Sequence, residues 1–174
     1  MTREIRRAVA GDAAELAQVQ AASWRAAFRG VLPDAYLADL DVDALRSGWS
    51  ELLADARWPR AATLLLKEEG EIVGYSRFYP SDDGDVDPAR VAMIGSMYTL
   101  PRVWRTGAGR MLMSAVIGAL TEAGYGTATL WVLEENVRAQ GFYRALGWAG
   151  DGTRHAGDGD SAAAGKLRFR RQLE

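Results

Sequence analysis

IGSMYTLPRVWRTGAGRMLMSAVIGAL, residues 94–120, decides the fold of this chain. Ile94–Leu100 is short, apolar and closed by Pro101, the pattern of a buried strand. Pro101–Gly109 carries two glycines and two arginines, the composition of a loop. From Arg110 onward, Met111, Ala115 and Ile117–Gly118 fall near helical spacing, so a helix is expected over Arg110–Glu122.

A strand that turns through Gly-x-Gly into a helix is suited to holding an anion. The first N–H groups of a helix have no partner inside it, and the aligned peptide dipoles place partial positive charge at the same end. Gly107 and Gly109 lack a Cβ, so phosphate oxygens can approach the main chain closely. Arg102, Arg105 and Arg110 add charge nearby. The ligand expected at Arg105–Arg110 is a pyrophosphate.

Two common pyrophosphate loops do not fit. A nucleotide P-loop needs Lys-Ser/Thr after its last glycine, where Arg110-Met111 stands; a dinucleotide fingerprint needs a third glycine where Leu112 stands. Trp104-Arg105-Thr106-Gly107-Ala108-Gly109 resembles instead the acetyl-CoA loop of the GNAT acetyltransferase superfamily, Gln/Arg-x-x-Gly-x-Gly/Ala, with Trp104 at the first position. Downstream, residues 136–148 (NVRAQGFYRALGW) resemble the second signature of that family, Asn-x-x-Ala-x-x-Phe-Tyr-x-x-x-Gly-Phe, with Trp148 as the last aromatic.

The resemblance implies an α+β (mixed α/β) fold, a central mixed twisted sheet flanked by helices. It implies transfer of acetyl from acetyl-CoA to a primary amine. The loop residues Arg105, Thr106, Gly107, Ala108, Gly109 and Arg110, together with Asn136, would contact the CoA. Main-chain N–H groups of Met97, Tyr98 and Thr99 would face the oxyanion, and Tyr143 would serve the departing thiolate.

At 174 residues the chain is expected to be one domain, 1–174. With 48% hydrophobic residues it can build a core, and a net charge of −2 argues against a nucleic-acid partner. It has no cysteine, which excludes disulfides, a Cys nucleophile and a thiolate metal site; no metal is expected. The start, MTREIRRAV, has no apolar leader, and no run approaches the ~18 apolar residues of a membrane span. A cytoplasmic protein without a membrane partner is expected.

Outward from the central stretch, Glu4–Val9 reads as a first strand. Asp12 is placed to cap a helix reaching about Phe28, with Leu16, Val19, Ala22 and Ala26 on its apolar side. Pro33–Leu40 and Asp41–Ala56 read as two more helices, the latter using Leu45, Trp49, Leu52 and Leu53. Ala62–Lys67 and Glu71–Tyr79 form a hairpin. Ser81–Pro88 (SDDGDVDP) reads as a solvated acidic turn; an EF-hand would need a Glu where Ile94 stands. Thr127–Leu133 reads as a strand buried on both faces and parallel to Ile94–Leu100. Asn136–Leu146 reads as a helix closed by Gly147, Asp151–Gly165 as a flexible loop, and Lys166–Leu173 as a final strand. The element order is βααα-βββ-αβ-αββ.

Direct attack by an amine needs a free lone pair, a stabilised oxyanion and a protonated leaving thiolate. Asn136, Ala139/Gln140 and Tyr143 share a helix face by spacing, while Phe142 and Leu146 share another and are expected to pack. A phenol of pKa ~10 can hydrogen-bond a departing thiolate near ~8.5. A bulge beside Gly95 would splay the two parallel strands; the glycine could equally ease packing. No base is assigned: Glu134 suits a capping or surface role, and His155, the one histidine, suits a solvated one. Trp24, Phe28 and Tyr36 could wall an acceptor pocket or belong to the core. The competing reading is a catalytically silent acyl-CoA-binding module. A homodimer through an edge near Lys166–Leu173 follows family habit.

Overall fold

The computed structural model describes residues 1–157 and 165–174. The strands are β1 (Arg3–Arg7), β2 (Ala62–Glu68), β3 (Glu71–Pro80), β4 (Val91–Thr99), β5 (Thr127–Leu133), β6 (Ala149–His155) and β7 (Lys166–Gln172). The helices are α1 (Ala13–Ala27), α2 (Asp34–Ala38), α3 (Val42–Ala54), α4 (Ala108–Glu122) and α5 (Val137–Ala145). Their order is βααα-βββ-αβ-αββ, in which β6 falls largely on a stretch expected to be a loop.

The strands form one sheet in the order β1-β2-β3-β4-β5-β7-β6. Glu68 pairs with Glu71, so β2 and β3 turn through two residues, Glu69-Gly70. β4 and β5 are parallel, with α4 as the crossover, and every other neighbouring pair is antiparallel. A core lies on each face. Leu112, Val116 and Leu120 of α4 pack on Phe78, Ile94 and Leu130 on one side. Leu16 and Val19 of α1 and Trp49 of α3 pack on Leu65, Ile72 and Tyr75 on the other.

Helix starts depart from expectation where a stronger partner competes. Asp12 stands at the N-cap of α1 without capping it. Its carboxylate accepts both Arg6 Nη groups at 2.8 Å and the Val9 N–H at 2.7 Å, since a forked guanidinium outbids a lone amide. Asp41 does cap α3, accepting from the N–H groups of Asp43 and Ala44. The first strand ends at Arg7 because Val9–Asp12 turn through a short 3-10 segment. Ala22 and Leu52 face solvent; the buried stripe of α1 runs through Leu16, Ala17 and Ala21. Likewise Met111 is exposed, and α4 buries Leu112, Met113 and Val116. That helix begins two residues before the expected start.

Three corrections involve the C-terminal third. The first part of the expected loop, Asp151–His155, is strand β6, and residues 158–164 of it lie outside the described residues. β7 is not an edge: β5 and β6 flank it, so the premise for a dimer through Lys166–Leu173 falls. The acidic turn is not merely solvated. Arg168, 3% exposed, donates to Asp85 at 2.6 Å, to Asp151 at 2.7 Å and to Asp83 at 3.2 Å. Trp131 Nε1 also donates to Asp83, at 3.1 Å. A buried guanidinium thereby ties the β3–β4 loop to β6 and β7, and its pKa is raised, chiefly by the hydrogen bonds to Asp85.

Candidate active site

The site begins where β4 and β5 part. They pair from Val91–Thr127 to Ile94–Leu130 and no further. At that point the β3–β4 register slips: Arg77 faces Ser96 and Phe78 faces Ile94, leaving Gly95 as the extra residue. A Cβ on Gly95 would stand 2.5 Å from Tyr79 Cε1, so both readings of this glycine hold, bulge and close packing. The bend opens a cavity of about 1450 Å³ between the strands.

Beyond the bulge, one edge of β4 is free of β5. Leu100 N–H is spent on Val73 C=O, and main-chain groups alternate along a strand. Tyr98 therefore turns its N–H toward β3, while Met97 and Thr99 turn theirs toward the cleft. Of the three residues expected to face the oxyanion, Met97 and Thr99 thus present their N–H groups to the cleft, and Tyr98 lends only its ring to the wall. That phenol is pushed up in pKa, first by burial and then by Tyr143 across the cleft.

The Gly-x-Gly loop enters the cavity from the α4 face. Gly107 is the N-cap of α4 with φ +87, a conformation that disfavours any Cβ. Arg105 sits at φ 62 although it is not glycine. The tethers of this loop come from β1: Arg3 donates to the Thr106 carbonyl at 2.9 Å and to its hydroxyl at 2.6 Å, and pairs with buried Glu68 at 2.7 Å. Arg105, Gly107, Gly109 and Arg110 line the cavity. Thr106 and Ala108 do not: the Thr106 hydroxyl is held by Val103 and Arg3, and Ala108 is fully buried. Gly109 is small for a second reason, since its Cβ would lie 3.2 Å from the Phe142 ring.

Trp104 Nε1 donates to Thr99 C=O at 3.0 Å, and the Arg138 guanidinium lies 3.5 Å from the centre of its ring. Arg105, Arg110 and Arg138 all border the cavity, and none takes part in an ion pair among the described residues. Main-chain N–H groups at a helix start and three uncompensated guanidiniums suit a pyrophosphate.

α5 forms the far wall. Asn136 caps it, its Oδ1 accepting the Ala139 N–H at 3.1 Å, and the residue borders the cavity. The two faces expected of this helix are not separate. Phe142 and Tyr143 touch edge to face at 5.4 Å, both border the cavity and both pack on the core. Tyr143 also meets the rings of Trp148 and Phe169, and burial pushes its pKa to about 12.

On the α1 face the cavity is walled by Trp24, Phe28, Tyr36, Tyr79 and Trp131. Phe28 is buried and meets Trp24 and Tyr98 edge-on, whereas Tyr36 is 47% exposed. Asp82 is the carboxylate of the lining among the described residues. Glu134 lies outside it, paired with Arg154 at 2.8 Å, and His155 sits exposed beside Trp131. Tyr79, Trp131 and Arg138 were not singled out in the sequence. For the two aromatics no local signal exists, because their place depends on the splay; Arg138 lies within the second signature. Among the described residues no group of three or more His, Cys, Asp or Glu is placed to hold a metal, and no helix is long and apolar enough to cross a membrane.

A model of the acetyltransferase (GNAT) family matches residues 26–148. A Mycobacterium tuberculosis protein described as an uncharacterised N-acetyltransferase is 35% identical over 146 residues, 82% of this chain and 86% of its own length. Bacillus subtilis YuaI, also described as an uncharacterised N-acetyltransferase, is 27% identical over 134 residues, 76% and 72% of the two chains. The fold matches the PaiA N-acetyltransferase of Thermoplasma acidophilum, solved in complex with coenzyme A, at TM-score 0.78, 16% identity and 99% of each chain. It matches YncA of Salmonella typhimurium, solved with acetyl-CoA, at TM-score 0.72, 18% identity, and 100% and 95% of the two chains.

Proposed function

This chain belongs to the acetyltransferase (GNAT) family, and on that premise we propose that it transfers the acetyl group of acetyl-CoA to a primary amine by direct attack in a ternary complex. The observation that carries this reading is the continuity of one cavity. It reaches from the cationic loop on the α4 face, past Tyr143, to the aromatic wall on the α1 face. A donor entering from one side and an acceptor from the other would meet at the bulge.

When bound, the donor supplies a thioester carbonyl open to attack. The N–H groups of Met97 and Thr99 face the place where its oxygen would become negative. Trp24, Phe28 and Tyr36 would bound the acceptor, which loses its first proton to solvent at the exposed mouth. Tyr143, held near 12, stays a phenol and donates to sulfur as charge develops there. Complete transfer to a thiolate near ~8.5 is uphill by about 5 kcal/mol, so the phenol gives its proton only as it receives the one leaving nitrogen. The proposed setting is the cytoplasm, in keeping with a CoA thioester as donor.

Calorimetric titration with acetyl-CoA, CoA and ATP, followed by an amine screen with thiol detection, tests the reading. Micromolar binding of both CoA species, none of ATP, and thiol release with at least one amine are expected. No CoA binding would overturn it. Binding without turnover across a broad panel would return the chain to a silent acyl-CoA-binding module.

A further inference from the structure

We propose that Arg138 is a phosphate-binding residue of this cleft and that Trp104 is the platform that positions it. The inference rests on the acetyl-CoA reading above. It assigns two residues that lie on opposite walls: Trp104 before the Gly-x-Gly loop, Arg138 on the first turn of α5.

The platform is fixed first. Trp104 is half-buried, and its one polar atom is committed to Thr99 C=O at 3.0 Å. That bond sets the plane of the indole. A guanidinium carbon 3.5 Å from the ring centre is at stacking distance, so the Arg138 group lies over the ring face. Stacking occupies the flat face of a guanidinium and leaves its N–H edge free, which is the part that recognises phosphate oxygens in pairs. A lysine could share the charge but not the fork.

The charges around it point to a missing anion. Arg138 is near enough to Arg105 for the two to repel. Its pKa is lowered, first by burial and then by that neighbour. No carboxylate pairs with either among the described residues, although Arg3, Arg102, Arg154 and Arg168 all have acidic partners. Cations gathered without counterions at the rim of a cavity are unfavourable until an anion sits between them. The stack resists the repulsion and keeps Arg138 where an anion at the start of α4 would meet it. A phosphate there would be held from both walls, and the loop and α5 would close on it.

CoA offers two phosphate sources, the pyrophosphate and the 3′-phosphate, and the test separates them. Calorimetry is run on the wild type, Arg138→Gln, Arg138→Lys, Trp104→Leu and the Gln/Leu double variant, each against CoA, dephospho-CoA and pantetheine. Arg138→Gln should weaken CoA at least tenfold and leave pantetheine unchanged; Arg138→Lys should recover part of the loss. Trp104→Leu should weaken CoA to a similar degree, and the double variant should lose no more than Arg138→Gln alone. If the Arg138→Gln loss persists with dephospho-CoA the partner is the pyrophosphate; if it vanishes, the 3′-phosphate. Unchanged CoA affinity in Arg138→Gln, an equal loss for pantetheine, or additive losses in the double variant would overturn the assignment. Failure of the wild type to bind CoA would remove the functional reading itself.

Discussion

The ring of Tyr79 lies across Gly95: a Cβ on residue 95 would stand 2.5 Å from Tyr79 Cε1 and 3.0 Å from its hydroxyl oxygen. The strand that bends to open the cleft is thus covered by an aromatic from its neighbour, which itself carries Arg77 at 4.3 Å from its ring. Gly95→Ala should therefore swing the Tyr79 ring rather than break the strand, at a cost of about 1 kcal/mol and ~2–4 °C in Tm. Because Tyr79 walls the α1 face, the acceptor KM should change several-fold while CoA affinity holds. An unaltered acceptor KM would refute this account of the bulge.

Tyr143→Phe keeps the packing against Trp148 and Phe169 and removes the one group proposed to meet the leaving sulfur. Turnover should fall by ~10²-fold or more, with CoA affinity within a factor of about two. In the wild type the shift of this phenol to about 12 has a signature of its own. A raised pKa keeps the proton on, so no loss of turnover from this group is expected as pH passes 10. An alkaline fall in kcat centred near 10, present in the wild type and absent in Tyr143→Phe, would contradict the burial argument.

Gly107→Ala meets no neighbouring atom, yet forces a side chain to adopt φ +87. The strain is roughly 1–2 kcal/mol, so the Tm should drop by a few degrees. The larger effect should fall on the ligand, since the new Cβ and the relaxed loop both disturb the main-chain N–H groups at the start of α4. A tenfold or greater loss of CoA affinity by calorimetry is expected, more for Val than for Ala. Equal affinity in all three proteins would show that the loop is only a helix start.

Arg168→Met removes a buried cation and leaves three carboxylates facing one another. Breaking such a cluster costs about 3 kcal/mol, a Tm fall of roughly 6–12 °C. The pH dependence follows from the carboxylates. Asp85 has a lowered pKa, chiefly through its hydrogen bond with Arg168; for Asp151, burial pushes the other way but bonds from Thr153 and Arg168 prevail. A lowered folded pKa gives stability that is present above the ordinary carboxylate range and is lost as pH falls from there through the lowered folded value. Urea midpoints of the two proteins should therefore differ most at pH 7, and the gap should begin to close only as pH falls below about 4. A gap that stays constant with pH would mean that shape, not charge, makes the clasp.

The parts of this molecule legible in the sequence are those whose cause is local. β2, β3 and β5 announce themselves by apolar runs, and the loop before α4 by its glycines. β6 could not be read that way: AGDGTRH has no alternation, and nearly every residue is exposed. It is a strand because β7 pairs with it and because Asp151 and Thr153 reach Arg168. The acidic turn misled for the same reason, its partner lying 83 to 85 residues away. In the cleft, Arg105, Gly107 and Tyr143 belong to contiguous patterns. The stack of Arg138 on Trp104 joins two walls, and the place of Tyr79 depends on a one-residue bulge in the next strand; neither arrangement leaves a mark along the chain.

The position of β7 between β5 and β6 also has a consequence for synthesis. β5, the apolar run TATLWVL, has no antiparallel neighbour until Lys166–Gln172 has been made. At ~5–20 residues per second this leaves the strand uncovered for a few seconds on every ribosome. A flat apolar edge of that kind is a template for pairing with another chain. The nascent protein is therefore most exposed to aggregation just before β7 emerges, and translation halted there should yield a product held in solution only by a chaperone.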